Sequence, residues 1–213
     1  MNQRLLRWLS IADVTLLPLF ILWFIWRLQF TARWTWVIFA VWLLSSFAAH
    51  RDTPKTLGWR ADNLWPATRQ AIFVFSAMAA GLVVVGLILR AYWPMLPALF
   101  RWRRIENYLA FCLLQQVALN SLLHNRMMML ARNDWAAACF TGAIFAVIHW
   151  PNPVLVPATF VAGTVMAWMF GRQRNIIPLT IGQAILGTLV AWAFPMAWHH
   201  HLRVGPGYYG IPR

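Results

Sequence analysis

Negative charge is the scarcest commodity in this chain. Only five of 213 residues are Asp or Glu, against 18 Lys+Arg, and Lys55 is the one lysine. Charged residues of either sign reach 11%, hydrophobic residues 61%, and the mean hydropathy is +0.58. A soluble domain of this length carries roughly a quarter charged residues, so that class is excluded. Cysteine is nearly absent too. Cys112 and Cys139 both fall in apolar runs and read as small packing residues, which removes any disulfide framework. Long basic tails are missing as well. The formal charge of +13 comes from Arg residues standing singly or in pairs at the ends of apolar runs. That pattern anchors a chain to anionic headgroups and excludes nucleic acid as the partner.

Several chemistries are excluded by missing motifs. No His is followed by Glu, so the H-E-x-x-H of a membrane zinc protease cannot occur. No Gly-x-Ser-Gly supplies a serine nucleophile, and no Gly-x-Gly-Asp supplies an aspartyl one. Lys55 lies in a loop, which rules out a buried Schiff base.

Apolar runs near the ~20 residues needed to cross a bilayer fill the chain. The pattern predicts an all-α, polytopic transmembrane bundle of about seven helices (six to eight). They run over about 9–26, 34–49, 71–89, 105–132, 135–149, 158–170 and 176–192. The first follows Arg4 and Arg7, is long, lacks a small-residue cleavage site and reads as a signal anchor. Three regions follow: N-terminal helices and interfacial loops over 1–104, a core bundle over 105–193, and a polar tail over 194–213. A narrow Lys/Arg excess favours a cytoplasmic N-terminus. The loop WPNPVLVP is expected to be a short, proline-rich re-entrant turn. Asn133 or Asp134 and Asn175 are expected to cap the helices that follow them. Asp13 and Glu106 are expected to serve helix starts, where the dipole favours a carboxylate.

Polar residues inside the apolar runs carry what chemistry there is. In IENYLAFCLLQQVALNSLLHNRMMMLAR, Gln116, Asn120 and His124 recur every four residues and share a face, with Gln115 one step round. A polar stripe at membrane depth must face protein, water or a ligand. In AIFAVIHW, Phe145 precedes His149 by four residues. Without further pattern the stripe reads as interhelical hydrogen-bonding glue at roughly 0.6 kcal/mol per contact. His199, His200 and His201 read as solvated interface residues, and the fifteen tryptophans as interfacial belts.

A paired residue, a third four positions later, then Phe-x-x-x-His on the next helix resembles the CPBP family of CAAX-protease and bacteriocin-processing membrane proteases. Phe145 and His149 match its second motif. HWPNPVL and the run to ILGTL resemble bacterial members, and the likeness covers roughly 105–190. The departures lie at its glutamate pair, here Gln115 and Gln116, at its arginine, here Asn120, and at its third motif, aligned with Gln183 and Gly187. The resemblance implies a CPBP-like bundle in a bacterial inner membrane, in contact with membrane lipids and acting on a membrane-associated peptide or protein. It implies His149 as the acid/base, with Gln115 and Gln116 holding water or substrate amide. Asn120, Phe145, Gln183 and His124 would line the site. Glutamine has no proton equilibrium near neutral pH and is a poor zinc ligand, so zinc is disfavoured. The alternative expectation is a non-catalytic relative that binds a peptide, a lipidated tail or a membrane partner.

Overall fold

A computed structural model describes residues 2–90 and 102–210, with side chains from residue 105 onward in the second stretch. The stretch that carries Pro94, Pro97 and the basic residues Arg101, Arg103 and Arg104 therefore falls outside the described side chains. Among the described residues the protein is all-helical, with no strand.

Seven principal helices follow the apolar runs. We label them α1 (Gln3–Thr31), α2 (Trp36–His50), α3 (Leu64–Leu89), α4 (102–130), α5 (Asp134–Ile148), α6 (Leu155–Gln173) and α7 (Ile176–Ala193); a short α8 (Met196–His199) lies in the tail. Four of them, α1, α3, α6 and α7, are long and apolar enough to cross a membrane. The reading of seven spanning runs is therefore coarser in the structure. The polar stripe of α4 dilutes its hydropathy, and α2 and α5 have only 15 residues each.

Local chemistry sets the boundaries. The Asn133 side chain accepts from Ala136 N at 2.8 Å and caps α5, and Asn175 accepts from Ile177 N at 3.2 Å and caps α7. Helix α3 begins earlier than expected, at Leu64, because Pro66 sits in the first turn where no N–H is needed. Helix α6 runs past Gly171 to Gln173 and is ended by Arg174 at φ 48°.

The helix pairing follows from a few contacts. Ser10, Asp13 and Leu17 on α1 meet Met129, Arg126 and the Leu122–Leu123 pair on α4, an antiparallel register. Helices α5 and α6 form a close hairpin in which a Cβ on Gly142 would stand 2.2 Å from Thr164 Oγ1. Helices α3 and α7 run parallel, since Gly182 abuts Phe75 and Gly86 abuts Trp192. A Cβ on Gly182 would come within 2.0 Å of the Phe75 ring. Small residues at such crossings let backbones approach where lipid and core are equally apolar. The main core gathers Phe75, Leu119, Phe145, Met166, Phe170, Ile176 and Leu186 from α3 to α7.

Two ends of the bundle result. At one, the 51–63 loop packs on the α6–α7 turn, with Ile176 N bonded to Gly58 O at 3.1 Å and Asn175 bonded to Arg60 O at 2.8 Å. At the other, the tail closes over the α5–α6 turn. Asn152, fully buried, donates to His199 O (2.8 Å) and Arg203 O (2.9 Å) and accepts from Val154 N and Leu155 N. The WPNP stretch is thus a turn locked by one asparagine whose hydrogen-bonding capacity is fully used.

Candidate functional site: a buried amide relay

Gln115 and Gln116 end the first segment of α4, Asn120 follows in its π-helical segment Val117–His124, and Gln183 projects from the middle of α7. Their amides form one directed chain. Asn120 Nδ2 donates to Gln116 Oε1 at 2.5 Å, and Gln116 Nε2 donates to Gln183 Oε1 at 2.6 Å. Gln183 Nε2 then donates to Gln115 Oε1 at 2.5 Å. Gln116 Nε2 also approaches Met166 Sδ on α6 at 3.0 Å. Gln116 and Asn120 have no exposed surface. Amides polarised head to tail in a low-dielectric interior strengthen one another, and a partly satisfied set would be costly. Among the four relay amides, Asn120 Oδ1 is buried without a hydrogen-bond partner.

The structure brings Gln115, Gln116, Asn120 and Gln183 together and places the two histidines elsewhere. His124 does not continue the amide ladder. The π-helical backbone bonds i to i+5 and winds differently from an α-helix, and His124 Nδ1 lies 3.2 Å from Thr141 Oγ1 on α5. The Thr141 hydroxyl donates to Ala137 O, so Nδ1 is the donor to Thr141. Nε2 is left as a buried acceptor without a partner, beside Gly171.

Phe145 packs in the main core with Met166. His149, one turn on, caps the end of α5 with its ring edge-on to Phe145, centroids 4.6 Å apart. No hydrogen bond joins His149 to the amides among the described residues. In the α5–α6 hairpin the level of Gly142 matches that of Gly163 and Thr164. His149 therefore sits about nine residues, or roughly 14 Å along the axis, from the level of Met166. Its Nδ1 lies 2.7 Å from Phe145 O. A carbonyl only accepts, so Nδ1 carries the proton and Nε2 keeps its lone pair.

A second polar centre was missed by sequence reasoning. Asp13 does not serve a helix start; α1 begins ten residues earlier and is capped by Asn2. Instead, Asp13 Oδ2 lies 3.3 Å from Arg126 Nε, and Asp52 Oδ2 lies 2.6 Å from Arg126 Nη2. Ser46 Oγ donates to Asp13 at 2.5 Å, and Trp42 Nε1 donates to Asp13 Oδ1 at 2.8 Å. Arg126 is 1% exposed. The available signal was one acidic and one basic residue, each inside an apolar run, in a chain this poor in charge.

Among the described residues no three or more His, Cys, Asp or Glu side chains come together as a metal would require. The amide relay offers neutral oxygens, which suit zinc poorly. No family model matches the chain, and no curated protein or solved structure shows significant similarity to it.

Proposed function

We propose that this chain is a multi-pass protein of a bacterial inner membrane with a CPBP-like bundle, which binds a membrane-associated peptide or lipidated tail without cutting it. The observation that carries this reading is the amide relay running from Asn120 through Gln116 and Gln183 to Gln115. Three amide groups spend donors on neighbouring amides, and none can take a proton from water at neutral pH. A general base must lie within ~3 Å of its proton or reach it through one water. His149, more than two helical turns away by the same hairpin register, does not meet that distance from Gln116. The relay instead holds α4, α6 and α7 in a fixed arrangement, as a rigid binding scaffold needs.

The second reading, an intramembrane endopeptidase, is favoured by the free Nε2 lone pair of His149. Its Nδ1–H bond to Phe145 O orients the ring as a general base requires. The test is hydrolysis of membrane-peptide substrates by the purified chain in lipid nanodiscs. The binding reading expects cleavage no faster than in protein-free nanodiscs, for the natural chain and for His149→Ala alike. Cleavage by the natural chain that His149→Ala abolishes, and His199→Ala leaves intact, would replace it with the endopeptidase.

A further inference from the structure

The amide relay ends with donors to spare. Gln115 Oε1 accepts from Gln183 Nε2 at 2.5 Å, but Gln115 Nε2 donates to no group among the described residues. A primary amide has two N–H donors and two carbonyl lone pairs. Gln115 therefore keeps both donors and one lone pair unused. Unlike Gln116 and Asn120, it is half-buried and not sealed in the interior.

These groups lie at membrane depth. Gln183, to which Gln115 is bonded, stands roughly 10 Å from the nearer end of α7, a helix long and apolar enough to cross a membrane. Acyl chains offer no acceptor at that level, and an amide donor left unpaired in hydrocarbon is costly. On α4, Tyr108, Phe111 and Gln115 are spaced by three and four residues, so they share one stripe of the α-helical segment Trp102–Gln116. A Cβ on Gly187 of α7 would stand 2.1 Å from Tyr108 Oη, so α7 covers one edge of that stripe. The other edge is open, with Phe111 and Leu114 each 53% exposed.

We propose that this open edge of α4 is the contact between two copies of the chain, in which the two Gln115 amides bond to each other. Copies inserted in the same sense are related by a two-fold axis along the membrane normal, which brings each residue to the level of its own counterpart. Each Gln115 then donates one N–H to the other's Oε1, using the free lone pair and leaving the Gln183 bond in place. A helix of another protein would have to supply an acceptor at that one level, whereas a second copy carries it by construction. A single polar residue in an apolar helix seam fixes register and oligomeric state in the same way. The inference rests on the membrane-spanning reading and is independent of whether the chain cuts peptides.

The experiment is energy transfer between copies of the full chain in liposomes, over a dilution series in lipid. Cys139 is exposed and takes the donor or acceptor fluorophore, while Cys112 is buried. Carbonate extraction first checks that the chain stays with the membrane. Release there would sink the membrane reading and this one with it; retention without transfer above that of random neighbours would sink this one alone. The expected result is transfer that follows a monomer–dimer equilibrium. Gln115→Leu should weaken the dimer about sevenfold, the change expected of two interhelical hydrogen bonds. Phe111→Ala removes an exposed ring and touches none of the relay hydrogen bonds, so it should also weaken the dimer with the helical circular dichroism unchanged. Val84→Ala, on α3 and equally exposed at 53%, should leave it as it is. A dimer indifferent to Gln115→Leu and Phe111→Ala, or one weakened as much by Val84→Ala, would overturn the proposal.

Discussion

The amide relay and the Arg126 ion-pair centre are both polar knots inside an apolar bundle, yet they are built on opposite principles. The relay joins neutral groups, three of them within six residues of one helix. The ion-pair centre joins Asp13, Ser46, Asp52 and Arg126, drawn from α1, α2, the following loop and α4. Neutral amides lose little on burial if every donor finds an acceptor. Charges lose several kcal/mol each and recover it only through close, multiple contacts. The relay therefore costs little wherever it stands, whereas the ion-pair centre is tolerated only with Arg126, two carboxylates and a hydroxyl together. The first sets the register of α4, α6 and α7, and the second ties the N-terminal pair of helices to α4.

That contrast breaks most sharply at Arg126. Arg126→Met leaves Asp13 buried and Asp52 half-buried without their cation and should cost about 3–5 kcal/mol, read as the largest loss of thermal stability in detergent. Adding Asp13→Asn and Asp52→Asn should return a large part of it; failure to do so would mean that the carboxylates are not what Arg126 compensates.

Gln116→Leu removes the centre of the relay and orphans donors on Asn120 and acceptors on Gln183. At roughly 0.6 kcal/mol per contact between membrane helices, and somewhat more for the groups left unpaired, the loss should be about 1–2 kcal/mol. Thermal unfolding of the two variants side by side gives the ratio. A relay variant that costs as much as Arg126→Met would erase the distinction between neutral and charged knots.

The exposed Arg60–Asp62 pair, 2.5 Å apart in the 51–63 loop, supplies the control. The hydrogen bond from Arg60 holds the Asp62 carboxyl at about 2, below its usual value. A carboxylate depressed in the folded state stabilises above its unfolded value near 3.8 and loses that contribution as the pH falls through about 2. Asp62→Asn should therefore flatten the stability profile only in that acid window. Its effect near neutrality should be the smallest of the three, as exposed pairs contribute little.

His199 gives a second window of the same sign, nearer neutrality. Burial lowers its pKa below the ordinary histidine value of 6.5. The unfolded chain takes up this proton first, so stability falls as the pH drops below about 6.5. His199→Phe should make that slope shallower, measured as thermal stability between pH 7 and 5, and leave the Asp62 window untouched.

Much of the fold was legible because membrane helices announce themselves. The run 176–192 appears as Ile176–Ala193, and Asn133 and Asn175 cap where they were expected to. Half of the candidate site was legible for the same reason. Gln116 and Asn120, four apart, must lie on one face, whereas Gln183 was reached only through the aligned third motif of the family resemblance. His124 shared the four-residue spacing but not the destination, because the π-helical segment after Gln116 changes the winding on which that spacing depends. Met166 as a relay partner and Asp13 as an ion-pair partner had no local signature. They lie 50 and 113 positions from their partners, and only helix packing selects such pairs.

Composition and periodicity alone determined an all-helical chain, helices suited to a membrane, and amides that had to face inward. Those properties follow from the cost of exposing polar groups to hydrocarbon, which each helix meets separately. Which inward groups would meet was decided only in the tertiary structure. The rotation and crossing of neighbouring helices, set by close approaches such as Gly142 on Thr164 and Gly182 on Phe75, joined Gln183 to the α4 amides and left His149 at the bundle's end.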